Sequence, residues 1–135
     1  MPEIESLVPD SHRDLLTSQL TATFTTVDGK GRPQSTAVWY LLDGGELLGS
    51  VTEDRQKYRN LARNPACALL VIDPANPQRT LEVRANAELT PDPDNEVVGK
   101  FAEAYGAPKE MLVAAGGARY TVTLRPWRVV ANPPA

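Results

Sequence analysis

The spacing of hydrophobic positions changes several times along the chain, and each change predicts an element. From Thr80 to Leu89 the alternation is strict. Leu81, Val83, Ala85, Ala87 and Leu89 share one face and Thr80, Glu82, Arg84, Asn86 and Glu88 the other, the period of a half-buried strand. Ala66–Ile72 is a continuous apolar run, bounded by Pro65 and by the loop Asp73-Pro74-Ala75-Asn76-Pro77, and reads as a buried strand. Thr21–Val27 is rich in β-branched residues, and Asp28-Gly29-Lys30-Gly31 after it predicts a hairpin. The next strand runs from Gln34 to Leu42, with Thr36, Val38, Tyr40 and Leu42 facing one way and Ala37, Trp39 and Leu41 the other. Both faces are largely apolar, so this strand is expected in a barrel wall that also packs against something else, a second subunit being one candidate. Asp43-Gly44-Gly45 turns into a strand from Glu46 to Val51. A last strand, Arg119 to Ala131, is interrupted by Pro126, which predicts an edge or a bulge.

Between the strands the period shifts toward that of helices. Asp10 or Ser11 suits the cap of a short helix carrying Leu15, Leu16 and Leu20. Thr52-Glu53-Asp54 opens a second helix, with Thr52 or Asp54 as the capping oxygen, which ends near Asn64 because Pro65 disfavours helical geometry before it. After Pro91-Asp92-Pro93-Asp94, a helix from Asn95 to Tyr105 presents Val97, Val98, Phe101, Ala102 and Tyr105, with Gly106 just past its end. Ala107–Ala118, which includes Gly116-Gly117, reads as a mobile loop. The expected architecture is mainly β: about six antiparallel strands in a barrel, with two or three helices on its outside, as a single domain over residues 1–135.

Composition narrows the function by exclusion. Fourteen basic and 17 acidic residues give a net charge of −3, unlike the broadly basic footprint of a nucleic-acid binder. No apolar run approaches the ~18 residues of a membrane span, and MPEIESLVPDSHRD has neither the positive start nor the apolar centre of a secretory signal. A soluble cytoplasmic protein is expected. The lone cysteine, Cys67, lies inside ACALLVI, where a thiol is a small core residue. The single histidine, His12, has no Cys/His cluster for a metal site and no nucleophile motif beside it. No metal is expected, hydrolysis is disfavoured, and any redox chemistry would come from a cofactor.

One cluster carries chemistry. Arg55, Lys57, Arg59 and Arg63 fall on the helix that follows the strand ending at Ser50-Val51-Thr52. The first turn of a helix offers unpaired N–H groups and a positive dipole end, and arginine can grip a phosphate with two donors. A solvated basic face, balanced by Glu53 and Asp54, is the plainer reading of the same residues. Trp39, Tyr40 and Trp127 suit core, interface or barrel-end packing as well as a ring platform.

The ordered series DGKGRPQSTAVWY, a D-G-G turn and SVTEDRQKYRNLARNPACALLVIDPANPQRTLEVRANAELT, followed by YTVTLRPWRVVAN, resembles the pyridoxamine 5′-phosphate oxidase-like split-barrel superfamily. Within it, the chain is most similar to the short branch of oxidoreductases dependent on coenzyme F420, a deazaflavin. The resemblance implies a six-stranded split β-barrel and a homodimer with cofactor grooves at the subunit interface. It implies a phosphate held by Arg55 and Lys57 with the strand end Ser50, Val51 and Thr52, and with Asn60 one turn further on. The cofactor ring would lie against Pro33, Gln34, Ser35, Thr36, Ala37 and Val38. Arg79 and Trp127 are the candidates for a contribution from the second subunit. Thr36 stands where the oxidase proper has an arginine, which leans away from FMN. The implied reaction is hydride transfer from reduced F420 to a conjugated small-molecule acceptor such as an activated alkene, a quinone or a biliverdin-like compound. Its proton would come from solvent, Tyr40 or Tyr58, and no catalytic residue is assigned. The alternatives are an FMN- or FAD-dependent oxidoreductase on the same fold and a non-catalytic dimer that binds a cofactor or tetrapyrrole. Pyridoxal-type phosphate binding comes last.

Overall fold

In the computed structural model, residues 3–113 and 117–134 are described. Seven strands form one antiparallel sheet: β1 (Ala22–Val27), β2 (Pro33–Val38), β3 (Leu41–Asp43), β4 (Glu46–Thr52), β5 (Ala66–Ile72), β6 (Thr80–Pro91) and β7 (Arg119–Asn132). Their order across the sheet is β2-β1-β5-β6-β7-β4-β3. Phe24 of β1, Leu69 of β5, Leu124 of β7 and Leu48 of β4 all border one interior void of only about 30 Å³, so the sheet curls around a common core. Its end strands, β2 and β3, do not pair with each other, so the curl is not closed.

Here the expected six-stranded split barrel is corrected to seven strands in an unclosed sheet. The seventh strand arises because the predicted strand Gln34–Leu42 is two strands, β2 and β3, at opposite ends of the sheet order. The chain crosses between them at Trp39-Tyr40. Tyr40 is buried, and its N–H donates to the Tyr105 hydroxyl (3.2 Å) instead of to a neighbouring strand. Trp39 stacks on the Tyr105 ring, with centroids 4.3 Å apart and planes 9° apart. The alternating apolar pattern continues through the break, which is why periodicity conceals it. The two-sided burial expected of this strand is also absent within the chain, since Pro33, Ser35 and Ala37 of β2 are exposed.

The opposite side of the sheet follows its pattern. Leu81, Val83 and Ala85 of β6 are fully buried, and β6 pairs along its whole length with β7. Pro126 costs β7 no edge position. It lies opposite Ala85, at a register shift between Arg84 and Ala85, beyond Leu124 where the pairing with β4 ends. A bulge at a residue with no N–H leaves the rest of the ladder intact.

Helices are more numerous and shorter than expected: α1 (Ile4–Leu7), α2 (Asp14–Thr17), α3 (Gln56–Arg63), α4 (Glu96–Tyr105) and α5 (Lys109–Val113), with a 3₁₀ turn at Asp10–His12. The N-terminal segment is broken at Pro9, and Ile4, Val8, Leu15 and Leu16 are its buried apolar side chains. α4 follows the prediction closely, ending on Gly106 in the left-handed region (φ 65°). Its N-terminus is capped by Asp92, whose carboxylate accepts from the N–H groups of Glu96 (2.9 Å), Val97 (3.1 Å) and Val98 (3.3 Å). α5 occupies part of the expected loop Ala107–Ala118, of which positions 114–116 lie outside the described residues. No helix among the described residues is long and apolar enough to cross a membrane.

Candidate functional site

The unclosed side of the sheet forms a groove. β2 borders it with Ala37 and Val38, Trp39 follows, and β4 supplies Ser50, Val51 and Thr52. Arg55 and Lys57 stand at the start of α3, Val98 and Phe101 come from α4, and Met111 and Leu112 from α5. Arg119, at the start of β7, completes a space of about 370 Å³. The interior void shares Val38, Ser50, Val51 and Lys57 with it but is too small for more than a water, so the groove is the candidate site.

Three cations converge here. The Lys57 ammonium donates to the Thr36 hydroxyl (3.2 Å), which fixes it against β2. Burial, and then the neighbouring Arg55 charge, push the Lys57 amine below the ordinary lysine range. A half-buried ammonium close to a second cation gains when an anion arrives, because the opposite charge offsets both penalties. The Arg119 guanidinium donates to the Ser50 hydroxyl (2.9 Å) and to the Leu112 carbonyl (2.6 Å), tying β4, β7 and α5 together. Burial pulls its pKa down, with the Asp92 charge opposing that shift.

The expected capping arrangement of α3 is corrected. The residue at the N-cap is Arg55, and no side chain caps the helix. Thr52 instead donates its hydroxyl to the Asp54 carboxylate, which holds that carboxyl below the usual range. The first amides of α3 therefore keep no side-chain partner beside Arg55 and Lys57, an arrangement suited to an anion.

Of the residues expected from the sequence, Ala37, Val38, Ser50, Val51, Thr52, Arg55 and Lys57 come together in this groove. Thr36 adjoins it through Lys57. Gln34 and Asn60 meet one another beside it: the fully buried Asn60 amide donates to the Gln34 carbonyl oxygen (3.0 Å) and to the Thr26 hydroxyl (2.9 Å). Pro33 and Ser35 lie on the exposed face of β2, with Ser35 bonded to Thr25 (2.8 Å). Arg79 and Trp127 do not line the groove. Arg79 is held by Asp73 (2.9 Å), by Asp14 and by the Ser11 carbonyl (2.8 Å), while Trp127 is exposed on β7.

Arg119, Trp39, Val98, Phe101, Met111 and Leu112 line the groove without having been singled out from the sequence as site residues. The apolar side of α4 was legible, but not what it faces. For Arg119 the only signal is register: it pairs with Thr52 across β4 and β7, 67 positions apart in the chain. Neither candidate proton donor lines the groove. Tyr40 donates its hydroxyl to the Leu15 carbonyl inside the core, and burial pushes its pKa up. Tyr58 packs against Tyr120, with ring centroids 4.7 Å apart. His12 is buried between Ser11 Oγ (2.7 Å) and the Asn132 carbonyl (3.1 Å), and burial lifts the Cys67 thiol to about 12. Both are structural. Among the described residues no three His, Cys, Asp or Glu side chains are grouped to hold a metal ion.

The profile of the pyridoxamine 5′-phosphate oxidase family matches residues 8–129. Among solved structures, an F420 reductase is 36% identical, with a TM-score of 0.80, and the match covers 91% of this chain and 98% of that one. A conserved hypothetical protein from Mycobacterium tuberculosis is 23% identical, with a TM-score of 0.76 over 92% of this chain and 84% of its own. HutZ, the heme storage protein from Vibrio cholerae, is 17% identical, with a TM-score of 0.73 over 90% and 92%. The last two share the fold. No curated protein sequence matches the chain.

Proposed function

Because the chain belongs to the pyridoxamine 5′-phosphate oxidase family, we propose that it is a reductase that binds coenzyme F420 in the groove between β2 and β4. The observation that carries this reading is the pairing of a cationic end (Arg55, Lys57, Arg119) with an apolar wall (Ala37, Val38, Val98, Phe101) in one open groove. A phosphate-bearing, planar cofactor needs both. The F420 reductase 36% identical to this chain supports the deazaflavin over a flavin, and so does Thr36 where the oxidase has an arginine.

Arg55 and Lys57, with the uncapped start of α3, bind the phosphate. Ser50, Val51 and Thr52 set the strand end against which it rests. β2 offers its edge to the ring, and Trp39 closes the groove by its stacking on Tyr105. When bound, reduced F420 supplies a hydride to a conjugated acceptor, which also takes up one proton. Among the described residues that line the groove there is no carboxylic acid, histidine or tyrosine, and the titratable ones are Arg55, Lys57 and Arg119. With Tyr40 and Tyr58 outside the groove, the proton in this reading comes from solvent. The exposed face of β2 and the exposed Trp127 suit burial against a second copy, and the working form is a homodimer with Arg79 and Trp127 near the partner's groove.

Titration of the purified protein with oxidised F420, and separately with FMN, by the fluorescence of each tests the reading. Saturable F420 binding at micromolar concentration with FMN much weaker is expected. Tighter FMN binding would make this a flavoprotein, and binding of neither would remove the cofactor role.

A further inference from the structure

Amide side chains have a direction, because one end only accepts and the other only donates. In this chain a series of them is oriented by a residue that cannot accept at all. The Arg59 guanidinium donates to the Gln56 side-chain carbonyl oxygen (2.8 Å) and is steadied by a second bond to the Asp54 carbonyl (3.2 Å). Gln56 must then turn its NH₂ toward Asn60, and Gln56 Nε2 lies 2.8 Å from Asn60 Oδ1. With its oxygen used in this way, Asn60 directs both amide hydrogens across to the sheet, onto Thr26 Oγ1 and Gln34 Oε1. Asn60 has no exposed surface, so it cannot turn to water for a different arrangement. Reversing Gln56 would set its NH₂ against the Arg59 guanidinium, and reversing Asn60 alone would set its NH₂ against that of Gln56.

The consequence falls on β2. Gln34 receives its hydrogen bond on oxygen, leaving its NH₂ to donate. Two residues on, and on the same face of the strand, Thr36 receives a bond from the donor-only Lys57, which leaves its hydroxyl hydrogen to donate. That face continues to Val38, which lines the groove. We infer that Arg59, Gln56 and Asn60 are positioning residues that make Gln34 and Thr36 a row of hydrogen-bond donors, and that the ligand edge read by β2 is one carrying carbonyl-type acceptors, not amines. This rests on the cofactor reading above and adds which edge chemistry the site selects.

The direction of the relay is measurable without any ligand, from side-chain amide hydrogen exchange in ¹⁵N-labelled wild-type protein. The Asn60 NH₂ should exchange slowly and the Gln34 NH₂ at close to the solvent rate. A protected Gln34 NH₂ would mean that Gln34 donates to Asn60 and would overturn the inference. In Gln56→Leu the Asn60 orientation is released, and the Gln34 NH₂ should gain protection while the fold is retained. An unchanged Gln34 signal in that variant counts against the relay. For the ligand, Gln34→Leu should bind F420 about 3- to 10-fold more weakly, as for one lost neutral hydrogen bond. Equal affinity in Gln34→Leu and wild type would overturn only the donor row, whereas no F420 binding by wild type would overturn the cofactor reading and the ligand half of this one.

Discussion

The β5–β6–β7 side of the sheet and the β2–α3–β4 side use different means to stay ordered. On the first, alternation dominates: Leu81, Val83 and Ala85 are fully buried, and β5 and β6 are each paired on both sides for most of their length. On the second, the sheet ends, Trp39-Tyr40 crosses the gap, and directed polar contacts hold the edges: Tyr105 to Tyr40, Lys57 to Thr36, Asn60 to Gln34 and Arg119 to Ser50 and Leu112. A strand pair is stabilised by area and needs little precision. A network of single hydrogen bonds is specific in direction and leaves room between the elements it joins. That room is the groove, so the site lies where the sheet is least complete.

Substitutions on the two sides should separate these roles. Leu81→Ala, on the closed side, removes a fully buried side chain from the core. It should cost roughly 2–5 kcal/mol of stability in denaturant unfolding, with cofactor affinity of the folded protein unchanged. A matching loss of affinity would mean that the two sides are not independent. Lys57→Met, on the open side, should do the opposite. It should weaken F420 binding by about 1.5–3 kcal/mol, roughly 10- to 100-fold, by loss of a charged hydrogen bond. The unliganded protein should melt at the same temperature or slightly higher. The sign follows from the depressed pKa: the folded state disfavours the ammonium, so a neutral side chain of similar length removes that penalty. A large fall in melting temperature would make Lys57 structural.

A smaller effect is expected at the groove's far wall. Asp92→Ala removes the oxygen partners of three α4 amides and should cost about 1–2 kcal/mol. Because Val98 and Phe101 stand on α4, its amide exchange should rise at the N-terminal turn before the rest of the protein opens. The pH dependence sharpens the comparison further. In the free protein Lys57 loses its proton at lower pH than an ordinary lysine, near 10.4, so F420 affinity should begin to fall below that pH and the fall should vanish in Lys57→Met. An unaltered profile in the variant would assign the titration to another group.

Much of the closed side could be read from the chain: the period of two in Thr80–Leu89 and the apolar run Ala66–Ile72 each fix a strand through one-face burial. On the open side, the end of α3 before Pro65 was legible through local sterics. The basic cluster was legible too, because Arg55 and Lys57 are two residues apart on one short segment. The break at Trp39-Tyr40 was not, since an aromatic pair continues an apolar alternation whether the strand goes on or crosses over.

What the sequence by itself determined is most of the strands, helix α4, the family pattern and the cationic start of α3, because these depend on neighbours within a few residues. Only the tertiary structure decided that β2 and β3 end up at opposite ends of the sheet, that Arg119 pairs beside Thr52, and that Asn60 turns Gln34 toward donation. Each of these rests on residues tens of positions apart. They are brought together by sheet register and fixed by hydrogen bonds whose direction no linear pattern records.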